Sequence, residues 1–254
     1  MKKLLLTPVF IMALAFSSLS HADTAGVWIG GGLWNWDVSG TVRYQQTNPS
    51  NDIDVESNGS NYLNWSDDNS GTFFFIIEHP VPLVPNVKFF STSLSTGGTG
   101  QATVQYGGTT LTGTVTSSLE LDMTDVTLYY SLLDNVVGLD LGLNLKIVDG
   151  SVSITDVGTT TIETSNFKAT IPMLYAGIDV ALPLTGLSLG VNGAYIGYNG
   201  SALTEFHAYM RYDSDYLFGV EAGIKSFNLE LDDIDQSYAN LEFSGTYAQL
   251  YVHF

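Results

Sequence analysis

From residue 24 to the C-terminus, apolar and polar side chains alternate at period two, segment after segment. Leu139, Leu141, Leu143, Leu145 and Ile147 fall on one face of such a segment, with Asp140, Gly142, Asn144 and Lys146 on the other. Leu187, Leu189, Val191 and Tyr195 oppose Ser188, Gly190 and Asn192 in the same way, as Val220, Ala222 and Ile224 oppose Glu221, Gly223 and Lys225. A helix would repeat its apolar positions at three and four, which these segments do not, so they are strands. Two architectures accept such an all-β chain once it is exported: a soluble sandwich and an outer-membrane barrel. The last strand separates them. Ala248, Leu250, Val252 and Phe254 share one face, Tyr247, Gln249, Tyr251 and His253 the other, and the chain stops on the aromatic Phe254. Such a strand, with Tyr247, Leu250, Val252 and Phe254 as its marked positions, resembles the assembly signal of outer-membrane barrels. The expected fold class is therefore an antiparallel transmembrane β-barrel.

Export is expected from the first 22 residues. Lys2 and Lys3 form a positive n-region, and Leu4 to Phe16 form an apolar stretch. Ser20-His21-Ala22 places small residues where a signal peptidase reads them, which predicts cleavage between Ala22 and Asp23. The apolar stretch is shorter than the roughly 18 residues of a spanning helix. The expected domains are thus a signal peptide over 1–22 and one barrel over 23–254.

Composition narrows the function classes. Only 13% of residues are charged, against roughly 25% in ordinary soluble domains. Eight basic residues face 26 acidic ones, so nucleic acid is excluded as a natural partner. The absence of Cys removes disulfides, thiol catalysis and thiolate metal sites. Nothing in the chain marks a cofactor site.

Turn signals divide the mature chain into strands at 25–37, 69–79, 86–96, 117–133, 136–149, 166–182, 186–198, 202–213, 216–230 and 239–254. Short connections alternate with longer polar ones, as periplasmic turns alternate with extracellular loops in bacterial barrels, whose strand number is even. Ten strands with both termini in the periplasm satisfy these conditions; eight and twelve are the alternatives. Pro80, Pro82 and Pro85 cannot donate to a ladder and fit a stiff turn. Between Met123 and Val126 the apolar parity slips by one residue, which calls for a bulge or for the strand leaving the bilayer. Tyr130, Tyr195, Phe206, Tyr212 and Phe254 are candidates for aromatic girdles. Loops 38–68 and 97–116 are rich in Ser, Asn, Gly and Thr and are expected to be mobile.

Counting outward from the apolar faces turns Glu78, Lys88, Asp125, Asp140, Lys146, Asp179, Glu205, His207, Arg211, Glu221 and Lys225 into the lumen. A basic residue at mid-bilayer on the lipid face would cost roughly 2–4 kcal/mol. These groups could line a pore or an active site, but ion pairing inside a narrow lumen is the simpler reading, because barrels of about eight strands have room only for side chains. Glu205-x-His207 is the sharpest catalytic candidate, since period two puts both on the lumen face. It sits at the start of the eighth strand, the expected extracellular end. Omptin proteases, ten-stranded barrels too, use an Asp–His pair with further acids near the extracellular rim. Here the carboxylate is Glu and no companion Asp pair appears on an early strand. No motif singles out a Ser–His pair for a lipid A hydrolase. The acidic runs Asp52, Asp54, Glu56 and Glu230, Asp232, Asp233, Asp235 lack the EF-hand spacing and read as solvated loops, bridged through divalent ions to lipopolysaccharide phosphates.

Several pieces in order, Gly26-Val27-Trp28 with Gly30-Gly31, Glu78-His79-Pro80-Val81-Pro82, Leu128 to Asn135, Pro172-Met173-Leu174-Tyr175 and Leu182 to Leu187, resemble a gammaproteobacterial family of small outer-membrane barrels with an early Gly-Gly. The resemblance implies fold and location and brings no catalytic residues. The expectation is a non-enzymatic, porin-like barrel of the Gram-negative outer membrane. Its role would be structural or surface-interacting through acidic extracellular loops, with a narrow cation-preferring channel as the alternative. The partners expected are outer-membrane lipid and lipopolysaccharide, with the barrel-assembly machinery during biogenesis.

Overall fold

The computed structural model describes residues 25–254 except 82, 215 and 235. The expected cleavage site at Ala22 and Asp23 lies outside these residues. Ten long strands form one antiparallel barrel: β1 (Gly26–Tyr44), β2 (Asp68–Glu78), β3 (Asn86–Ala102), β4 (Gly113–Asp134), β5 (Val137–Asp156), β6 (Thr161–Leu182), β7 (Leu187–Tyr198), β8 (Ser201–Asp213), β9 (Phe218–Ile234) and β10 (Ser237–His253). Each strand pairs with its sequence neighbours, and β10 closes on β1 from Trp28↔His253 to Tyr44↔Ser237. Closure leaves no ladder edge where lipid would strand it.

Most strands are longer than the sequence pattern suggests, always at the end opposite the termini. The cause is an inversion of polarity along each strand. On β5 the outward residues run Leu139, Leu141, Leu143, Leu145, Ile147 and then Asp149, Ser151, Ser153, Thr155. The inward ones run Asp140, Asn144, Lys146 and then Val148, Val152, Ile154. β10 inverts near Thr246, and β3 changes from outward Val87 and Phe89 to Ser91, Ser93 and Ser95. Below the inversion the wall faces hydrocarbon; above it the same wall is a water-soluble barrel with an apolar interior. The parity slip near Met123 is this inversion. Inward residues of β4 stay odd-numbered from Val115 to Ser131, and its pairing with β5 is unbroken from Val115↔Asp156 to Ser131↔Asp140. No bulge lies there; the register shift comes later, between Ser131 and Leu133.

Loops 38–68 and 97–116, expected to be mobile, are instead built into the wall and the core. Residues 38–44 and 97–102 continue β1 and β3, and residues 113–116 begin β4. β2 stops at Asp68, and the gap above it is filled by segment 53–65, which pairs with β1 at Thr41↔Asp54 and Val42↔Ile53 and bridges to β3 at Tyr62↔Gln101 and Trp65↔Gly98. Gly98 and Gly100 make this approach possible, since a Cβ on either would lie within 2 Å of the carbonyl oxygens of Asn64 and Tyr62 respectively. The sequence Gly97-Gly98-Thr99-Gly100 reads as a turn; here its glycines admit a neighbouring backbone. Ile53, Val55, Leu63 and Trp65 all point inward and are buried. A small hairpin, Gln105–Tyr106 with Thr109–Thr110, lies across the mouth, bonded from the Gly107 amide to the Tyr44 carbonyl at one side and from Thr109 Oγ1 to Glu163 at the other. Asp156 anchors it by accepting from the backbone amides of Thr159 and Thr112, and those bonds hold its carboxyl below the usual range.

Tyr130, Tyr195, Phe206, Tyr212 and Phe254 all face outward and are exposed. β7 stops at Tyr198 and its pairing with β6 ends at Leu174, so the upper part of β6, 161–173, has no ladder partner on that side among the described residues.

The inversion carries a direct test. Leu143→Arg, in the middle of the outward apolar run, should lower the unfolding free energy in bilayers by about 2–4 kcal/mol, whereas Ser153→Arg on the same face should cost within ~1 kcal/mol. Urea titration of the protein refolded into vesicles reads both; equal costs would remove the inversion from its place at the membrane boundary.

Candidate functional site

The lumen holds three layers. From the end that carries the termini, a cavity of about 200 Å³ opens inward, lined by Glu78, Asp134, Asp140, Asp179 and the partly exposed Arg211 toward its mouth and by Lys88, Lys225, Trp34 and Thr72 further in. Aromatic rings make up much of its wall, among them Trp28, Phe74, Phe90, Tyr129, Tyr175, Tyr209 and Tyr247. Beyond it lies a layer of buried charge. Lys146, fully buried, donates to Asp125 at 2.7 Å and to Glu205 at 2.9 Å, and Asn144 donates to the other oxygen of Asp125 at 3.0 Å. The third layer is apolar. Trp34, Trp36, Phe227, Phe243, Met123, Met173 and Leu203 pack with the loop residues Ile53, Val55, Leu63, Val104, Tyr106 and Leu111 into one continuous core. Lys146 Nζ lies 5.5 Å from the Phe227 ring centre and so marks the boundary between charge and hydrocarbon.

All the charges expected in the lumen face it. Arg211 binds Glu221 Oε2 through Nε at 3.0 Å and Nη2 at 2.9 Å, and Tyr247 and Gln249 donate to the other oxygen. Glu78 accepts from Tyr129 and Asp140 from Ser131, both at 2.7 Å. Lys225 is buried between aromatic faces, 4.1 Å from Phe90 and 4.8 Å from Trp34, and reaches only to 4.0 Å from Glu205. Lys88 and Asp179 have no ion-pair partner among the described residues.

The Glu205/His207 pair does not assemble as a catalytic unit. Glu205 is occupied by Lys146, and the His207 ring lies between Phe90 and Tyr247, 6.1 and 5.9 Å between centres. Nor does the pair stand at the rim. Neighbouring strands rise well past it, so Glu205 is buried beneath the apolar layer. The first acidic run is committed locally, since Asp52 pairs with Arg43 and Asp54 accepts from the Glu56 amide; Asp235 of the second run lies outside the described residues. Sequence reasoning missed Asp134 and Thr72 as cavity residues and the whole loop contribution to the core. The last had a visible signal in the alternation Ile53, Val55 and Leu63, Trp65.

Tyr247, Leu250, Val252 and Phe254 of the expected assembly signal sit on β10 and its end, Tyr247 inward and buried, the other three outward and exposed.

No protein-family model matches the chain, and no curated protein matches it. Solved structures do. The outer-membrane protease OmpT from Escherichia coli aligns with a TM-score of 0.55 and 13% identity, covering 94% of this chain and 100% of that one. The transport unit of the autotransporter AIDA-I from Escherichia coli aligns with a TM-score of 0.41 and 11% identity, covering 96% and 97%. The first likeness is one of fold, a closed antiparallel barrel.

The buried charge layer makes a quantitative prediction. Lys146→Met removes the cation that bridges Asp125 and Glu205, leaving only Lys225 at 4.0 Å from Glu205, and should destabilise the barrel by about 3–5 kcal/mol. Adding Asp125→Asn and Glu205→Gln to it should recover a large part of that loss, as read by denaturant midpoint in micelles. If the triple variant is no better than Lys146→Met alone, the cost lies in packing rather than in uncompensated charge.

Proposed function

We propose that this chain is an integral barrel of the Gram-negative outer membrane, of the gammaproteobacterial small-barrel family, that seals rather than conducts and works through the surface opposite its termini. The termini then lie in the periplasm, and Phe254 ends the strand read by the assembly machinery. The observation that carries the reading is the apolar layer. A solute passing along the axis would have to cross Trp36, Phe243, Met123 and the loop residues packed on them, none of which leaves a lined passage. Against enzymatic chemistry stands the engagement of Glu205 by Lys146 rather than by His207.

The surface reading rests on outward carboxylates just above the inversion. Asp37, Glu120, Asp122, Asp149 and Glu242 are exposed there, and Asp122 stands directly across the ladder from Asp149. Like charges so placed repel. Among these five only Asp149 has a cationic partner among the described residues, Lys168 at 2.7 Å. A ring of this kind beside the bilayer suits divalent cations shared with lipopolysaccharide phosphates.

Planar-bilayer recording of the refolded protein, its folding confirmed by heat-modifiable gel mobility, should give no discrete conductance steps. Cation-selective steps would replace this reading with a narrow channel. In vesicles containing lipopolysaccharide, Mg²⁺ should raise the unfolding temperature, and Glu120→Gln with Asp122→Asn should shrink that rise. An unchanged rise would leave the carboxylate ring as a solvated surface only.

A further inference from the structure

The cavity at the terminal end keeps opposite charges apart although both signs line it. Glu78, Asp134, Asp140 and Asp179 have no cation within 4 Å among the described residues, and Lys88 has no carboxylate within that distance. Among the described residues, the only ion pair on the cavity wall closer than 4.0 Å is Arg211–Glu221. The arrangement is ordered by depth. Glu78 and Asp134 end their strands at the mouth, and Asp140 and Asp179 lie within the first turn of pleat from the same end. Further in, three buried polar atoms belonging to cavity residues have no hydrogen-bond partner: Lys225 Nζ, Trp34 Nε1 and Thr72 Oγ1. Two of these residues, Trp34 and Lys225, are almost completely buried.

Unpaired charge and orphaned donors are costly inside a barrel, where the surroundings are low in dielectric and water is scarce. Here the unmet groups are complementary in kind. The inner end offers donors and positive charge: among the described residues Lys88 has no ion-pair partner, Lys225 has only Glu205 at 4.0 Å, and the Trp34 and Thr72 donors have no acceptor. The mouth offers four carboxylates without a paired cation, since Arg211 beside them is engaged by Glu221. The volume, about 200 Å³, is an order of magnitude above the ~10–15 Å³ that one water needs. Aromatic walls supply faces for an ammonium or an aliphatic body.

We propose that this cavity is a binding site for a small zwitterion of the amino-carboxylate class, held with its carboxylate at the Lys88 end and its ammonium among Glu78, Asp134, Asp140 and Asp179. A simple anion would satisfy the inner donors but pass four carboxylates to reach them. A simple cation would satisfy the mouth and leave the donors orphaned. One molecule bearing both charges meets both sets, and the length of its chain is selected by the spacing between the layers. The site is blind, because the charge layer around Lys146 and the apolar core close it from above.

The test is calorimetric titration of the refolded protein in micelles with glycine, 4-aminobutyrate and 6-aminohexanoate, against butyrate and butylammonium as single-charge controls. At least one zwitterion should bind about tenfold or more tighter than either control, the loss expected when one charge-assisted contact is missing. Lys88→Met should reduce that zwitterion to the level of butylammonium, Lys88→Arg should retain it, and Asp140→Asn should weaken it; gel mobility confirms that each variant is folded. Equal binding of butyrate would make this an anion site, equal binding of butylammonium a cation site, and absence of binding would leave only hydrated charges; each outcome overturns the proposal. None of them bears on conductance, so the sealed-barrel reading stands or falls separately.

Discussion

Every layer of this molecule depends on the ladder between β10 and β1. In hydrocarbon an unpaired backbone group has no water to turn to, and a sheet can lie there only if its two edges meet. Closure by ten strands fixes a bore too wide for backbone and too narrow for a second shell of structure, so side chains must fill it. Which side chains do so changes with height. Where lipid surrounds the wall, apolar residues are drawn outward and polar ones are left to satisfy one another within. Where water surrounds it, the preference reverses. One wall thus obeys two opposite rules, and the transition lies near Ile147 on β5 and Thr246 on β10.

The inversion explains why charge accumulates at mid-height. Polar residues of the membrane-spanning part point into a space that the soluble part has capped with hydrocarbon, so Lys146 meets Phe227 on one side and carboxylates on the other. A buried lysine of this kind is tolerable because Asp125 and Glu205 are both within hydrogen-bond distance, and Asn144 donates to the other oxygen of Asp125. Such a cluster contributes little net stability against an apolar substitute, yet losing one member is expensive. It acts more as a constraint on register than as a source of cohesion.

The number of strands and their directions were legible in sequence because lipid enforces strict alternation on Leu139 to Ile147 and on Ala248 to Phe254. The inward direction of Lys146 and Lys225 follows from the same alternation. The upper third was not legible, and the reason is physical. A strand such as 113–123 keeps its period but exchanges the meaning of its faces, so Leu119 and Leu121 look misplaced to a reader who assumes lipid outside. Gly98 and Gly100 look like a turn because nothing local reveals that segment 61–65 lies against them. Glu205-x-His207 could be assigned to one face, but not to separate partners, because Lys146 and Phe90 arrive from distant strands.

The loops here are not ornaments on a finished barrel. Ile53, Val55, Leu63 and Leu111 are wholly buried, so the residues that in most surface loops drift freely are held in this chain by the demands of a core. Freedom to vary is then confined to exposed stretches such as 47–50, 56–60 and 157–160. An insertion within 53–55, 61–65 or 104–111 would unseat the interior along with the exterior, because Ile53, Val55, Leu63, Trp65, Val104 and Leu111 are buried there.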